Sequence, residues 1–358
     1  MEGQMGKFYS SFGVVLTINM AVLLASRVAL GQIFPLNSAP RSNLEQQLDA
    51  PFNDGILGED RARADDLVRV GVQAQRQGDL NSAIANWRKA LDFYQKAGDI
   101  EAIGQTYDYL GVTYAKLGRF QEAEDALRRR LGIARTRQDF TGQIYGLNNI
   151  GTVLLQAGNT TAAQDSFLAA LQIARSIKNQ QGEGLSLSNL GLAAAAVGNY
   201  GEAIKQYQAA LALRSFSGNP LGEANTRNNL GDAYREANVP KEALYSYQTA
   251  LSLAQISGDF PNQFRAMRGL ALSYMAIGQY KPALNVLEPH LALAKKLQNP
   301  KEELLSLRLA ARAYQGIENF GQARVFYQQA IALANALGDS QEVALLRNDL
   351  AQILYYRR

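Results

Sequence analysis

The sequence predicts an all-α solenoid of stacked helical hairpins, and three observations lead to this fold class. A motif recurs every 40 residues from Arg61 onward, so that equivalent leucines stand at Leu190, Leu230 and Leu270. Each copy contains two segments with the apolar spacing of a helix, divided by a short turn that usually contains glycine. A helical hairpin cannot bury its apolar faces alone, so consecutive copies are expected to stack.

Two columns of the repeat explain how its two helices pack together. The first column holds a small residue, which lets two helices approach closely. Its members are Gly71, Gly111, Gly151, Gly191, Gly231, Ala271, Ala311 and Ala351. The second column holds an aromatic residue or leucine that fills the space between neighbouring hairpins. Its members are Trp87, Leu127, Phe167, Tyr207, Tyr247, Leu287 and Tyr327.

From the second repeat onward, the first helix of each repeat, including the last helix, is expected to begin at an Asp or Asn. These side chains accept hydrogen bonds from the free N–H groups of a first turn. The seven positions are Asp99, Asp139, Asn179, Asn219, Asp259, Asn299 and Asp339. The pattern therefore gives an array over residues 61–358 that consists of seven hairpins and a last helix near 340–356, which we interpret as a capping helix.

Two residues depart from a column that otherwise holds alanine. Arg130 and His290 stand where the other second helices have Ala, and Pro289 lies in the middle of its helix. One interpretation is a local loosening in which the long side chain reaches out to solvent. The other is a joint between repeats, where the proline kinks the backbone, or a ligand contact.

The repeat resembles the tetratricopeptide repeat family over residues 61–358. The usual unit of that family has about 34 residues, and the 40-residue unit here resembles the kinesin-light-chain type and arrays of bacterial, especially cyanobacterial, proteins. The resemblance implies a right-handed superhelix whose first helices line a concave groove. It also implies that residues two and five positions before and after the Leu of the Leu-Gly pair face that groove.

The N-terminal region is predicted to carry a targeting signal. Residues 8–26 form an uncharged stretch between Lys7 and Arg27. This stretch is either the apolar core of a signal peptide cleaved before Gln32, or an uncleaved single-pass anchor. Residues 1–31 are accordingly a signal peptide or anchor, and residues 32–60 a linker or tail. Both alternatives place the array beyond the membrane, in a periplasm, a thylakoid lumen or at a cell surface.

Composition excludes several classes of chemistry. The absence of Cys excludes disulfides, thiolate zinc sites and Cys nucleophiles, and a single His excludes a multi-histidine metal cluster. We find no phosphate-binding loop, HExxH motif or GxSxG elbow. The net charge of +4 is too small to indicate nucleic-acid binding. We therefore expect no catalysis, cofactor or bound metal.

The first candidate site is a series of amide side chains on the groove face. Asparagine is a poor residue for a helix interior, so a cluster of six invites an explanation. The six are Asn148, Asn149, Asn189, Asn225, Asn228 and Asn229. They resemble asparagines that clamp peptide backbone in kinesin light chains. Alternatively, they join neighbouring helices by hydrogen bonds between repeats.

The second candidate site is a group of arginines predicted to meet in the groove of repeats five to seven. They are Arg235, Arg265, Arg268, Arg308 and Arg312, with Asp232 as the only acid expected among them. Such a cluster suits an acidic segment or a C-terminal carboxylate. The alternative is a solvated basic face, partly paired with glutamates of second helices. The carboxylate clamp of chaperone-binding arrays is not matched, because Leu272 and not Asn follows four positions after Arg268.

These patterns predict a non-catalytic, monomeric scaffold or adaptor that holds an extended peptide or partner protein in its groove, an acidic segment being one candidate ligand. Assistance in assembling a membrane or envelope complex is a more specific expectation. The alternative is a regulatory or sensor partner of a separately encoded enzyme such as a protease. No nucleic-acid partner is expected, and membrane contact is expected only through the N-terminal segment if it is uncleaved.

Overall fold

The computed structural model describes residues 58–215 and 218–355, and within them every regular element is an α-helix. The predicted all-α fold of seven hairpins and a final helix is confirmed. The fifteen helices are α1 Glu59–Arg76, α2 Leu80–Ala97, α3 Ile100–Lys116, α4 Phe120–Thr136, α5 Phe140–Gln156, α6 Thr160–Ser176, α7 Gln180–Ala196, α8 Tyr200–Arg214, α9 Pro220–Glu236, α10 Pro240–Ile256, α11 Phe260–Ala276, α12 Tyr280–Lys296, α13 Pro300–Gly316, α14 Phe320–Ala336 and α15 Ser340–Tyr355. Odd-numbered helices are the first helices of the repeats, and even-numbered ones are the second helices.

The described residues divide into two compact units. Unit 1 comprises residues 58–193 and unit 2 residues 194–355. In unit 1, helices α1 to α6 pack on one another in chain order. In unit 2, helices α8 to α15 do the same, and first helices also contact each other, α9 with α11 and α11 with α13.

The predicted helix starts are confirmed at all seven positions. Each Asp or Asn accepts a hydrogen bond from the backbone N–H three residues later, as Asp99 Oδ1 does from Ala102 at 3.0 Å. The turns inside the hairpins reverse through a residue of positive φ. Glycine occupies this position in five hairpins; Asn238, with φ of 59°, and Glu318, with φ of 61°, replace it in the other two, and Asn tolerates this conformation.

The small and large columns meet as expected. A Cβ on Gly111 would lie 2.7 Å from the Leu127 side chain, and a Cβ on Gly231 would lie 2.7 Å from the Tyr247 ring. Trp87, the first large residue of the series, is completely buried. Gly111 and Gly231 are therefore required by the close approach of the two helices in their hairpins.

The two residues that replace alanine do not reach out to solvent, and that interpretation was wrong. The Arg130 side chain is 16% exposed and its Nε lies 3.1 Å from Asp108 Oδ2, in space left open by Gly104. His290 has no exposed surface. Helix α12 runs through Pro289 from Tyr280 to Lys296.

A third replacement escaped the sequence reasoning. Arg214 stands where the other second helices after α2 carry a buried alanine, and it is buried as well. Helix α8 ends at this residue and has 15 residues, whereas the second helices on either side of it have 17. Gly222 of α9 makes room for the guanidinium, because a Cβ there would collide with it.

None of the helices in residues 58–215 and 218–355 combines the length and apolar composition needed to span a bilayer. The uncharged stretch of residues 8–26, predicted to be a signal or an anchor, lies outside the described residues.

Candidate functional site

The predicted site residues all lie on first helices and are divided between the two units. Unit 1 holds Asn148 and Asn149 on α5 and Asn189 on α7. Unit 2 holds the other three asparagines and Arg235 on α9, two arginines on α11 and two on α13.

In unit 1, two asparagines connect neighbouring repeats. Asn148 is 1% exposed, and its Nδ2 donates to Ile144 O and to Ser186 Oγ, each at 2.9 Å. Asn189 Nδ2 donates to Asn148 Oδ1 at 2.8 Å. The side chain of Asn148 therefore uses both amide protons and its oxygen to join α5 to α7. Asn149 is equally buried.

In unit 2, the same role recurs with different partners. Asn228 is completely buried, and its Nδ2 donates to Asn262 Oδ1 at 3.0 Å, which links α9 to α11. Asn229 is buried too. Asn225 is half-buried, and its Oδ1 accepts a hydrogen bond from Arg265 Nη1 at 3.2 Å. Of the six predicted amides, Asn225 is thus the one that a ligand can reach without rearrangement.

A charge network surrounds Asp232 on α9, whose side chain is 36% exposed whereas that of its partner Arg265 is 7% exposed. Arg265 of α11 pairs with Asp232 Oδ2 at 2.5 Å, and the Tyr247 hydroxyl donates to Asp232 Oδ1 at 2.5 Å. Burial acts to raise the pKa of Asp232, but Arg265 and then Arg235 outweigh it and hold this pKa below its usual value. Burial, and then the Asp232 carboxylate, raise the pKa of Tyr247. Asp232 is therefore ionised and Tyr247 neutral at physiological pH.

The expectation that Asp232 is the only acid among the arginines was wrong. Arg235 pairs with the adjacent Glu236 at 2.7 Å. Two further pairs reach into helix α15, with Arg308 Nη1 2.8 Å from Glu342 Oε1 and Arg312 Nη2 3.3 Å from Asp349 Oδ2. These acids belong to first helices and not to second helices, so the predicted form of charge pairing was wrong as well.

Arg268 differs from the other four arginines. It is half-buried, and no ion pair forms between it and another described residue. One turn further along α11 lies Leu272, and Met275 and Leu305 are packed with it against the core of the α11–α13 repeats. All three apolar side chains remain partly exposed. The face of α11 and α13 therefore presents one unneutralised guanidinium beside half-exposed apolar side chains.

A serine, a histidine and a glutamate also come together in unit 2. Ser306 Oγ is hydrogen-bonded to His290 Nδ1, and His290 Nε2 lies 3.5 Å from Glu302 Oε2. The residue types are those of a hydrolase triad. However, Ser306 and His290 have no exposed surface, so no substrate reaches the hydroxyl. Burial, and then the field of Arg268, lower the pKa of His290 to about 3, which keeps the ring neutral.

The sequence reasoning missed this cluster because its members stand on two helices with unrelated spacing. Its one available signal was His290 in an alanine column. Over the residues that the structure describes, no three His, Cys, Asp or Glu side chains are placed to share a metal ion.

Comparison with known families gives a clear match. The model of the tetratricopeptide repeat family matches residues 63–136, 143–215, 185–256 and 262–336, which is well over half of the chain. A search of curated protein sequences finds no match.

Solved structures share the fold at low sequence identity. A STAND protein (signal transduction ATPase with numerous domains) with a tetratricopeptide repeat sensor, from Pyrococcus horikoshii, is 18% identical with a TM-score of 0.57. That match covers 78% of this chain but only 44% of the other protein. A Rap protein complexed with competence and sporulation factor is 16% identical with a TM-score of 0.55, over 82% and 79% of the two chains. TPR-like repeats of a kinesin light chain protein of Podosopora anserina are 20% identical with a TM-score of 0.50, over 55% and 97%.

Proposed function

Because this chain belongs to the tetratricopeptide repeat family, we propose that it is a non-catalytic scaffold that binds an extended segment of a partner protein. The binding surface is the face of the first helices, where the accessible polar groups of unit 2 are found. The buried asparagines build this face by joining its helices, and the accessible Asn225 is placed to hydrogen-bond a peptide backbone.

The observation that carries the proposal is the unpaired charge of Arg268. Its four arginine neighbours are neutralised by Asp232, Glu236, Glu342 and Asp349. A half-buried guanidinium without a counter-charge is unfavourable. A carboxylate of the ligand would neutralise this charge through charge-assisted hydrogen bonds. The ligand segment therefore contains an acidic residue.

The surroundings of Arg268 define the neighbouring part of the ligand. Leu272, Met275 and Leu305 leave apolar surface in contact with solvent on the same helices. Burying that surface under an apolar side chain is favourable. The preferred segment thus places an apolar residue next to its acidic one, and a run of acidic residues is not required.

The cellular setting belongs to the same proposal. The uncharged stretch of residues 8–26 supports a location on the non-cytoplasmic side of a membrane, where the scaffold would assist assembly of a membrane or envelope complex. The similar Rap protein was solved in complex with competence and sporulation factor, which supports the proposal that an array of this fold holds a ligand. The alternative, a regulator of a separately encoded enzyme, uses the same face with a different partner.

A random peptide display library tests the proposal directly. We expect the purified chain to enrich peptides that share one acidic residue beside an apolar one. Arg268→Gln should lose this enrichment, because it removes the charge and keeps a similar length. Arg324→Gln, at an exposed position of α14, is the matched control and should retain it. No enriched motif, or a motif that Arg268→Gln retains, contradicts the proposal.

A further inference from the structure

One edge of unit 1 is formed by the turns that join each second helix to the next first helix. We call it the outer-turn edge, and it comprises residues 95–101, 135–141 and 175–181. Each of these turns exposes one large apolar side chain. Ile100 is 54% exposed, Phe140 49% and Ile177 38%. The opposite turns of unit 1 expose only one such side chain among the described residues, Leu117.

Exposed cations accompany these apolar side chains. They are Lys96, Arg135, Arg137, Arg175 and Lys178. Glu101 is the only exposed acid in the same turns, and it pairs with Arg137 at 3.3 Å. Asp99 and Asp139 are half-buried helix caps. Arg135 and Lys178 form no ion pair within the described residues, so the edge presents surplus positive charge to solvent.

Unit 2 repeats this composition in its corresponding turns. Its exposed apolar side chains there are Ile256, Phe260, Leu297 and Leu337, and its exposed cations are Lys295, Lys296 and Lys301. The two units together place seven of their fourteen exposed large apolar side chains in these turns. Chance exposure of single residues would scatter them over all surfaces, so the concentration indicates a functional surface.

We propose that the outer-turn edge of unit 1 binds the surface of an anionic lipid bilayer. Its apolar side chains stand one to a turn, on successive repeats. Apolar side chains spaced in this way suit the bilayer region between headgroups and acyl chains, because that region accommodates them without a preformed binding pocket. The cations would contact lipid phosphates. An open cavity of about 790 Å³ lies at the start of the edge, lined by residues 96–101 and Arg137 of the edge itself and by residues 58–61 of helix α1 and its start.

The absence of cysteine in the chain allows a local test. The variants Phe140→Cys and, on the opposite edge, Leu117→Cys are each labelled in the full chain with an environment-sensitive fluorophore. Vesicles contain either phosphatidylcholine alone or phosphatidylcholine with phosphatidylglycerol. We expect a blue shift at position 140 on anionic vesicles, a much smaller shift on neutral ones, and none at position 117. Adding Arg135→Gln and Lys178→Gln should abolish most of the shift at position 140.

The readout does not depend on residues 8–26. An inserted anchor would tether the chain to both kinds of vesicle but would not by itself shift the emission of the fluorophore at position 140. An unchanged spectrum at position 140 on anionic vesicles overturns the proposal. So does an equal shift at position 117, or a shift produced by soluble polyaspartate and not by vesicles, which would indicate an acidic protein partner. A shift as large on neutral vesicles overturns the role of the cations.

Discussion

The Nε atom of Arg130 on α4 lies 3.1 Å from Oδ2 of Asp108 on α3, inside a column that otherwise holds mostly alanine. Asp108 is 3% exposed, and burial raises its pKa to about 6 despite the attraction of Arg130. The two residues of this pair therefore depend on each other, and the dependence can be measured.

Removing one partner of this pair should be more harmful than removing both. Arg130→Ala leaves a buried carboxylate without a counter-charge, and we expect a loss of about 3 kcal/mol in the free energy of unfolding. The double variant Arg130→Ala with Asp108→Asn should recover part of that loss. Urea unfolding followed by circular dichroism measures both. A double variant no more stable than the single one would show that the pair is not coupled.

The raised pKa of Asp108 should also make the free energy of unfolding depend on pH. The folded state holds the proton of Asp108 up to about pH 6, whereas the unfolded chain releases it near 3.8. Its contribution to stability is therefore fully present below pH 3.8 and is lost as the pH rises through 6. The stability of the wild type relative to Asp108→Asn should fall by about 3 kcal/mol between pH 4 and pH 7. A constant difference over this range would contradict the raised pKa.

The asparagines should separate into structural and ligand-binding residues. Asn148→Ala removes the hydrogen bonds to Ser186 and Asn189, so we expect a loss of about 1–3 kcal/mol and a lower Tm. Asn225→Ala, at a half-buried position, should cost less and weaken the binding of selected peptides. Thermal unfolding and peptide titration, made on both variants, distinguish the two roles. If Asn148→Ala kept the wild-type Tm, the link between repeats would contribute little.

Replacement by alanine should have opposite effects at Gly231, which belongs to the small-residue column, and at Gly201, which does not. Gly231→Ala places a Cβ 2.7 Å from the Tyr247 ring, and we expect a loss of about 1–3 kcal/mol. Gly201 of α8 has open space around its Cβ position. Gly201→Ala should therefore stabilise the helix, by up to about 1 kcal/mol. Two similar Tm changes would contradict the packing role of Gly231.

The fold was predictable because its signals are local and repeated. The capping residue Asp99 and the pair formed by Gly231 and Tyr247 occupy fixed positions within a repeat, so one motif describes them all. The partners of the groove arginines were not predictable in this way. Arg308 meets Glu342 across 34 positions and Arg312 meets Asp349 across 37. The motif identifies the helix face but not which acid of the next helix reaches it.

Arg214 shows a second reason why individual contacts were less predictable from the sequence than the fold. Its column is visible in the sequence, but the compensating glycine at position 222 lies on the following helix. A bulky residue in a small-residue column indicates a disturbance. Whether the neighbouring helix accommodates it depends on a contact that the repeat pattern does not contain.

The ion pairs of unit 2 have a consequence for the order of its repeats. Arg265, Arg308 and Arg312 each find their acid on the first helix of an adjacent repeat, not within their own. Exchanging or deleting the repeat that holds Arg265 would separate this buried guanidinium from Asp232. Neighbouring repeats of unit 2 are therefore not interchangeable, although they share one motif.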